Sequence, residues 1–127
     1  MINTLNIGKY IYSTLTGSKD ITCTIYPLVA DNDAKFPFIV YKRVNLVSET
    51  TKDGLSEDNV TVEIVVVSDS YSSGLDIAIN VRELIEKQCV VYSDIEISDA
   101  TLNLATEEYS NNSYIQRMQF NFKINKY

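Results

Sequence analysis

Between Val60 and Tyr71 the hydropathy of this chain changes its period, and that change constrains the fold more than any other feature. Val60, Val62, Ile64 and Val66 alternate with Thr61, Glu63, Val65 and Val67, the period of two that sends successive side chains to opposite faces of a strand. Past Ser68-Asp69-Ser70, the apolar residues fall at Gly74, Ile77, Ala78, Val81, Leu84, Ile85 and Cys89, an arc of about 140° on a helical wheel and the width of a core-facing stripe. A strand therefore feeds an amphipathic helix. Arg82 with Glu86 and Glu83 with Lys87 form i,i+4 pairs on the solvent side, worth about 0.2–0.5 kcal/mol each. Leu75 and Ile79 lie outside the arc, and either pack under a neighbouring loop or face a partner subunit.

The elements before this unit are equally patterned. Leu5, Gly8, Ile11, Tyr12 and Leu15 share a helical face between Asn3, a plausible N-cap, and Gly17, a plausible stop. Ile7 and Tyr10 are then apolar residues on the opposite side. Thr22 to Tyr26 reads as a short strand closed by Pro27, which cannot donate to a ladder. Phe36 before Pro37 is pushed toward extended geometry, so the next strand begins there. It runs from Phe38 to Val47, with Phe38, Val40, Val44 and Leu46 on one face and Ile39, Tyr41, Arg43 and Val47 on the other. Such a strand is central in its sheet or has one face covered by another subunit. Ser48 to Asn59 is polar and longer than a tight hairpin needs, which predicts an exposed loop.

In the last third, Ile95 and Ile97 are out of phase with Leu102 and Leu104, so a bulge or break is expected at Ser98-Asp99-Ala100. Glu107 to Ser113 supplies a turn. From Tyr114 the chain alternates cleanly, with Met118, Phe120, Phe122 and Ile124 inward and Arg117, Gln119, Asn121 and Lys123 outward. The expected architecture is one α+β domain over residues 1–127, of order α-β-β-β-α-β-β: an antiparallel sheet of four to five strands with two helices on one face.

Composition removes several function classes. Seventeen acidic against eleven basic residues leave a net charge of −6, and Lys42-Arg43 is the only adjacent basic pair. Tight nucleic-acid binding, which depends on cations at phosphates, is not expected. No basic leader or stretch of about 18 apolar residues marks a secretory signal or a membrane span, so no membrane association is expected. The chain has no histidine and only two cysteines, Cys23 and Cys89, in no metal-binding spacing; neither a metal nor a cofactor is expected. Without histidine the commonest general base is missing, and carboxylate pairs such as Asp94 with Glu96 read as solvated surface. The four glycines form no phosphate cradle. Nine tyrosines, among them Tyr10, Tyr41, Tyr71, Tyr109 and Tyr114, suit a protein interface, where one end of the ring is apolar and the other wet.

Ile25-Tyr26-Pro27, the run Phe36-Pro37-Phe38-Ile39-Val40-Tyr41-Lys42-Arg43-Val44, the Asp53-Gly54 loop, the Val60-to-Ser68 strand and Ser70-Tyr71 leading to Leu75-Asp76-Ile77-Ala78 together resemble the tail-completion, or tail-terminator-like, proteins of long-tailed bacteriophages and prophages. The likeness covers nearly the whole chain in order of elements and carries no active-site signature. It implies a structural protein that forms a hexameric ring at the head-proximal end of the tail tube, ending tail polymerisation or joining the tail to the head connector. The implied partners are further copies of itself, the major tail-tube protein and a head-completion or connector protein. The implied places are the bacterial host cytoplasm during assembly and then the virion tail. Carried onto this sequence, the contacts with neighbours would involve Tyr41, Arg43, Thr50, Lys52, Asp53, Gly54, Glu57 and Asp58, with Leu75 and Ile79 beside them. The residues alone also suit a small cytosolic α+β ligand-binding or regulatory module.

Overall fold

The computed structural model describes residues 4–50, 56–87 and 89–126. Helix α1 spans Ile7–Thr16 after a 3-10 turn at Thr4–Asn6; strands β1 (Thr24–Pro27), β2 (Phe38–Thr50) and β3 (Ser56–Ser68) follow, then helix α2 (Tyr71–Ile85) and strands β4 (Val90–Tyr92), β5 (Ile95–Ser110) and β6 (Ser113–Lys126). All strands join one sheet in the order β1-β2-β3-β6-β5-β4.

The alternation seen in the sequence decides which side of that sheet is buried. Across the central rows Ile39 meets Val66, Val62 meets Phe120 and Val60 meets Phe122. These side chains form the core with Ile7, Ile11 and Leu15 of α1 and Val81 and Ile85 of α2. Both helices thus cover one face, called here the helix face, and leave the other open. Gly74 permits the close approach of α2 to β3: a Cβ there would stand 3.2 Å from Cβ of Ser68. Ser70 caps the helix by accepting a bond from the Ser73 N–H at 3.4 Å, as a serine at this position should.

The α+β class and the two helices on one face are as expected, but the sheet has six strands rather than four to five. The extra strand is β4, whose three residues are too few to show a period. The expected antiparallel pairing also fails at β1, which pairs parallel with Phe38–Tyr41 of β2; its edge position tolerates Pro27.

Helix α1 turns inward only part of the side its sequence suggested, Ile11 and Leu15, together with two residues expected opposite, Ile7 and Tyr10. Ile7, Tyr10, Ile11 and Leu15 are buried, whereas Leu5 is 58% and Tyr12 46% exposed. The helix starts at Ile7, so Leu5 belongs to the preceding turn and does not set the helical phase. Asn6 takes the N-cap position, and Asn3 lies outside the described residues. The helix stops at Thr16 with Gly17 as its C-cap, as expected, at a right-handed φ of −78°.

Polar stretches read as loops are strands. The ladder continues through Ser48↔Asp58 and Thr50↔Ser56, so Glu57 and Asp58 lie in β3 rather than in a loop. Likewise β5 runs to Ser110, and the turn shrinks to Asn111-Asn112, with φ of 53° and 61°. Two successive positive-φ residues suit a two-residue turn between twisted strands, and Asn tolerates them better than β-branched residues do. Asn112→Val is therefore expected to cost about 1–2 kcal/mol, read as a lower urea midpoint with an unchanged slope.

The bulge expected near Ser98 is present, between Ile97 and Asp99, and a second lies between Leu102 and Leu104. A third, between Arg43 and Asn45, corrects the facing of β2. Ile39, Tyr41, Arg43 and, beyond the bulge, Leu46 belong to the helix face; Phe38, Val40, Lys42 and Val47 belong to the open face.

Candidate assembly interface

The open face carries polar side chains laced together across strands. Arg117 of β6 bridges Glu108 of β5 at 2.7 Å and Glu63 of β3 at 3.5 Å, and Gln119 donates to Glu63 at 3.2 Å. Leu28, Val29, Val40, Lys42 and Val65 border a shallow concavity beside this ladder. Val47 and Leu104, 52% and 51% exposed, are large apolar groups on the same face.

The sheet also has two long unpaired margins. Strand β1 covers β2 only as far as Tyr41, with one further bond from the Leu28 N–H to the Tyr41 carbonyl at 2.8 Å. Among the described residues, no strand pairs with the outer side of Lys42–Thr50. On the far edge β4 covers only Ile95–Ile97 of β5, and the Cys89 N–H reaches the Ser98 carbonyl at 3.4 Å. The outer side of Asp99–Ser110 is likewise without a strand among the described residues. Such margins are templates for pairing with another chain, and proteins that remain alone normally blunt them.

At the β5–β6 tip, three tyrosines gather near the start of α2. The ring of Tyr114 lies 5.8 Å from that of Tyr71 and 4.9 Å from that of Tyr109. Tyr71 Oη and Gln116 Nε2 each donate to Glu107 Oε2 at 3.0 Å. The donors from Gln116 and then Tyr71 hold the Glu107 carboxyl below its ordinary pKa, while the bond to that carboxylate pushes the Tyr71 hydroxyl up.

A second carboxylate ties α2 to β5. Glu86 accepts from the Leu102 N–H at 3.0 Å and from Arg82, one of the two i,i+4 pairs expected from the sequence. The Leu102 N–H, then Arg82, lowers its pKa from 4.5. A depressed folded pKa stabilises above the unfolded value and is lost as pH falls through the folded one. Glu86→Gln is thus expected to flatten the acid limb of the stability curve in urea titrations from about pH 6 down to about pH 3.

Of the residues singled out in the sequence, Tyr41 is half-buried on the helix face, its ring 6.5 Å from that of Tyr12. Arg43 is exposed and donates to the Leu5 carbonyl at 3.2 Å. Thr50 ends β2, and Lys52, Asp53 and Gly54 lie outside the described residues. Glu57 is half-buried, and Asp58 is only 5% exposed, so Asp58 does not offer the exposed charge foreseen for it. Leu75 and Ile79 border a groove with Leu102, Ala105 and Met118; they sit beside strands rather than under a loop. Tyr10 is buried against Tyr92 and Phe122. The free margins themselves escaped sequence reading, because pairing partners leave no local pattern.

Among the described residues no group of three His, Cys, Asp or Glu could hold a metal, and no helix is long and apolar enough to cross a membrane. The family described as tail completion protein gp17 matches residues 9–125, and the chain belongs to it. It is a structural protein of a phage tail and not an enzyme.

The fold is similar to that of a chain in the structure described as the virion of a native gene transfer agent particle. The TM-score is 0.78 at 11% identity, covering 91% of this chain and 92% of that one. At that identity the likeness is one of fold. No curated protein matches the chain.

Proposed function

We propose that this chain forms a hexameric ring at the head-proximal end of the tail tube, where it ends tube polymerisation and joins the finished tail to the head connector. Assembly takes place in the bacterial host cytoplasm, and the ring stays in the virion tail. The observation that carries this reading is that, among the described residues, no strand lies beside the sheet margins Lys42–Thr50 and Asp99–Ser110, on opposite sides of one subunit. Two different surfaces on opposite sides make a head-to-tail contact, which closes into a ring when the rotation per copy divides a full turn.

In this arrangement the helices lie outside and the open face turns inward. A net charge of −6 suits a lumen that DNA must pass without being held. The ends of β2 and β3, at Thr50 and Glu57, are assigned to contact with the major tail-tube protein or the connector, and Lys52, Asp53 and Gly54 are assigned to the same contact. Leu75 and Ile79 offer a further contact on the helix side.

The experiment is electron microscopy of purified tail tubes incubated with the chain. A ring at one end of each tube and no further growth on adding tube protein support the reading. Tubes that grow unchanged with the chain at saturating concentration overturn it.

A further inference from the structure

We propose a specific register for the contact between neighbouring copies: β2 of one subunit pairs antiparallel with β5 of the next, Lys42 opposite Glu108 and Arg43 opposite Glu107. This deepens the ring reading above and rests on it. Four mutually antiparallel strands, β2-β3-β6-β5, separate the two margins. Their number is even, so a copy added in the same orientation presents β5 antiparallel to β2 and continues the sheet.

Charge selects the register. Lys42 and Arg43 are exposed at the upper end of the free β2 margin, and Glu107 and Glu108 are exposed near the far end of the free β5 margin. Lys42 shares the open face with Glu108, and Arg43 shares the helix face with Glu107, so both pairs meet side chain to side chain. The bonds from Tyr71 and Gln116 both fall on Oε2 of Glu107, and neither uses Oε1.

The bulge in β2 then keeps the faces matched from Lys42 to Val47. The extra residue at Val44 in β2 brings Asn45 opposite Thr106, Leu46 opposite Ala105 and Val47 opposite Leu104. The pairing ends at Leu104, because the next N–H along β5, that of Leu102, is already held by Glu86 Oε2 at 3.0 Å. Every pair joins residues of the same face, and Val47 and Leu104, two exposed apolar groups of the open face, cover each other.

The step this register imposes is that of a closing sheet. Within one subunit Arg43 is level with Leu102, through Val62 and Phe120, while Glu107 is level with Gln116. Each copy is therefore displaced by the four residues from Phe120 to Gln116, about 13 Å along the strands, for four strands of about 19 Å in width. That inclines the strands by roughly 35° to the ring axis, within the range of closed barrels.

The test uses two charge-reversed proteins, Lys42→Glu/Arg43→Glu and Glu107→Lys/Glu108→Lys, with native mass spectrometry as the readout. Each alone sets like charges opposite each other and is expected to associate roughly a hundredfold more weakly than the unaltered chain. Mixed in equal amounts, they restore association, because opposite charges meet at every contact of an alternating ring. Recovery on mixing also shows that both variants are folded. As a second measurement, Val47→Cys/Leu104→Cys in a Cys23→Ser/Cys89→Ser background should give a ladder of oxidised multimers, and Val47→Cys/Thr106→Cys should not.

Variants that assemble alone like the unaltered chain, or a mixture that fails to recover, overturn the register and leave the ring standing. An unaltered chain that stays monomeric even on tail tubes overturns the ring and the register with it.

Discussion

Phe120→Ala is expected to destabilise the fold by about 3–5 kcal/mol. Phe120 is fully buried, opposite Val62 on one side and Leu102 on the other. It stands where β6 crosses the centre of the sheet, beneath the helices. Truncation removes the transfer free energy of the ring and leaves a cavity that the two neighbouring strands cannot both close. A domain of this size has about 5–15 kcal/mol in total, so the variant should lose roughly a fifth of its stability or more. Urea denaturation should show the midpoint falling at constant slope. A loss below about 1 kcal/mol would mean that the core lies elsewhere.

Val81→Asp is expected to prevent folding or to cost several kcal/mol, since an unpaired carboxylate would replace a fully buried side chain of α2. Ile79→Asp, two residues earlier and 48% exposed, should change the stability of the isolated chain by no more than about 0.5 kcal/mol. The contrast separates the face of α2 that holds the sheet from the face available to a neighbour. Thermal melts of the two variants read it directly, and equal losses would contradict the orientation of α2.

What the sequence reveals depends on whether a side chain's partner can be inferred from its spacing. Helix α2 and strand β6 each bury one face over a long run, so Gly74, Ala78, Val81 and Ile85, and Met118, Phe120, Phe122 and Ile124, were readable as the core. The bulge at Ser98 was readable because it shifts the phase of isoleucines that must stay inside. The bulges at Val44 and Asn103 hide behind exposed apolar residues, Val44 and Leu104, which imitate an inward face.

Strand ends were lost for the opposite reason. Ser48 to Thr50 and Glu107 to Ser110 are polar because they stand at sheet margins or on the open face, and a polar strand resembles a loop when its neighbours are unknown. In helix α1 Ile11 and Leu15 lie inward as expected, but Leu5 and Tyr12 are apolar and exposed and draw the apparent face away from Ile7 and Tyr10. The tyrosines foreseen as contact residues divided: Tyr10 entered the core, while Tyr71, Tyr109 and Tyr114 gathered around the carboxylate of Glu107. The parallel pairing of β1 and the free margins are properties of strand order, and periodicity within a strand says nothing about order.

If this fold is one segment of a closed ring, joined through its two sheet margins, native mass spectrometry of the concentrated chain, alone and with tail tubes, shows the ring. A closed species of six copies of the 14.4 kDa chain, present in the unaltered protein and in the equal mixture of the two charge-reversed variants but in neither variant alone, is the predicted result. A chain that remains monomeric at every concentration, with and without tubes, would contradict it.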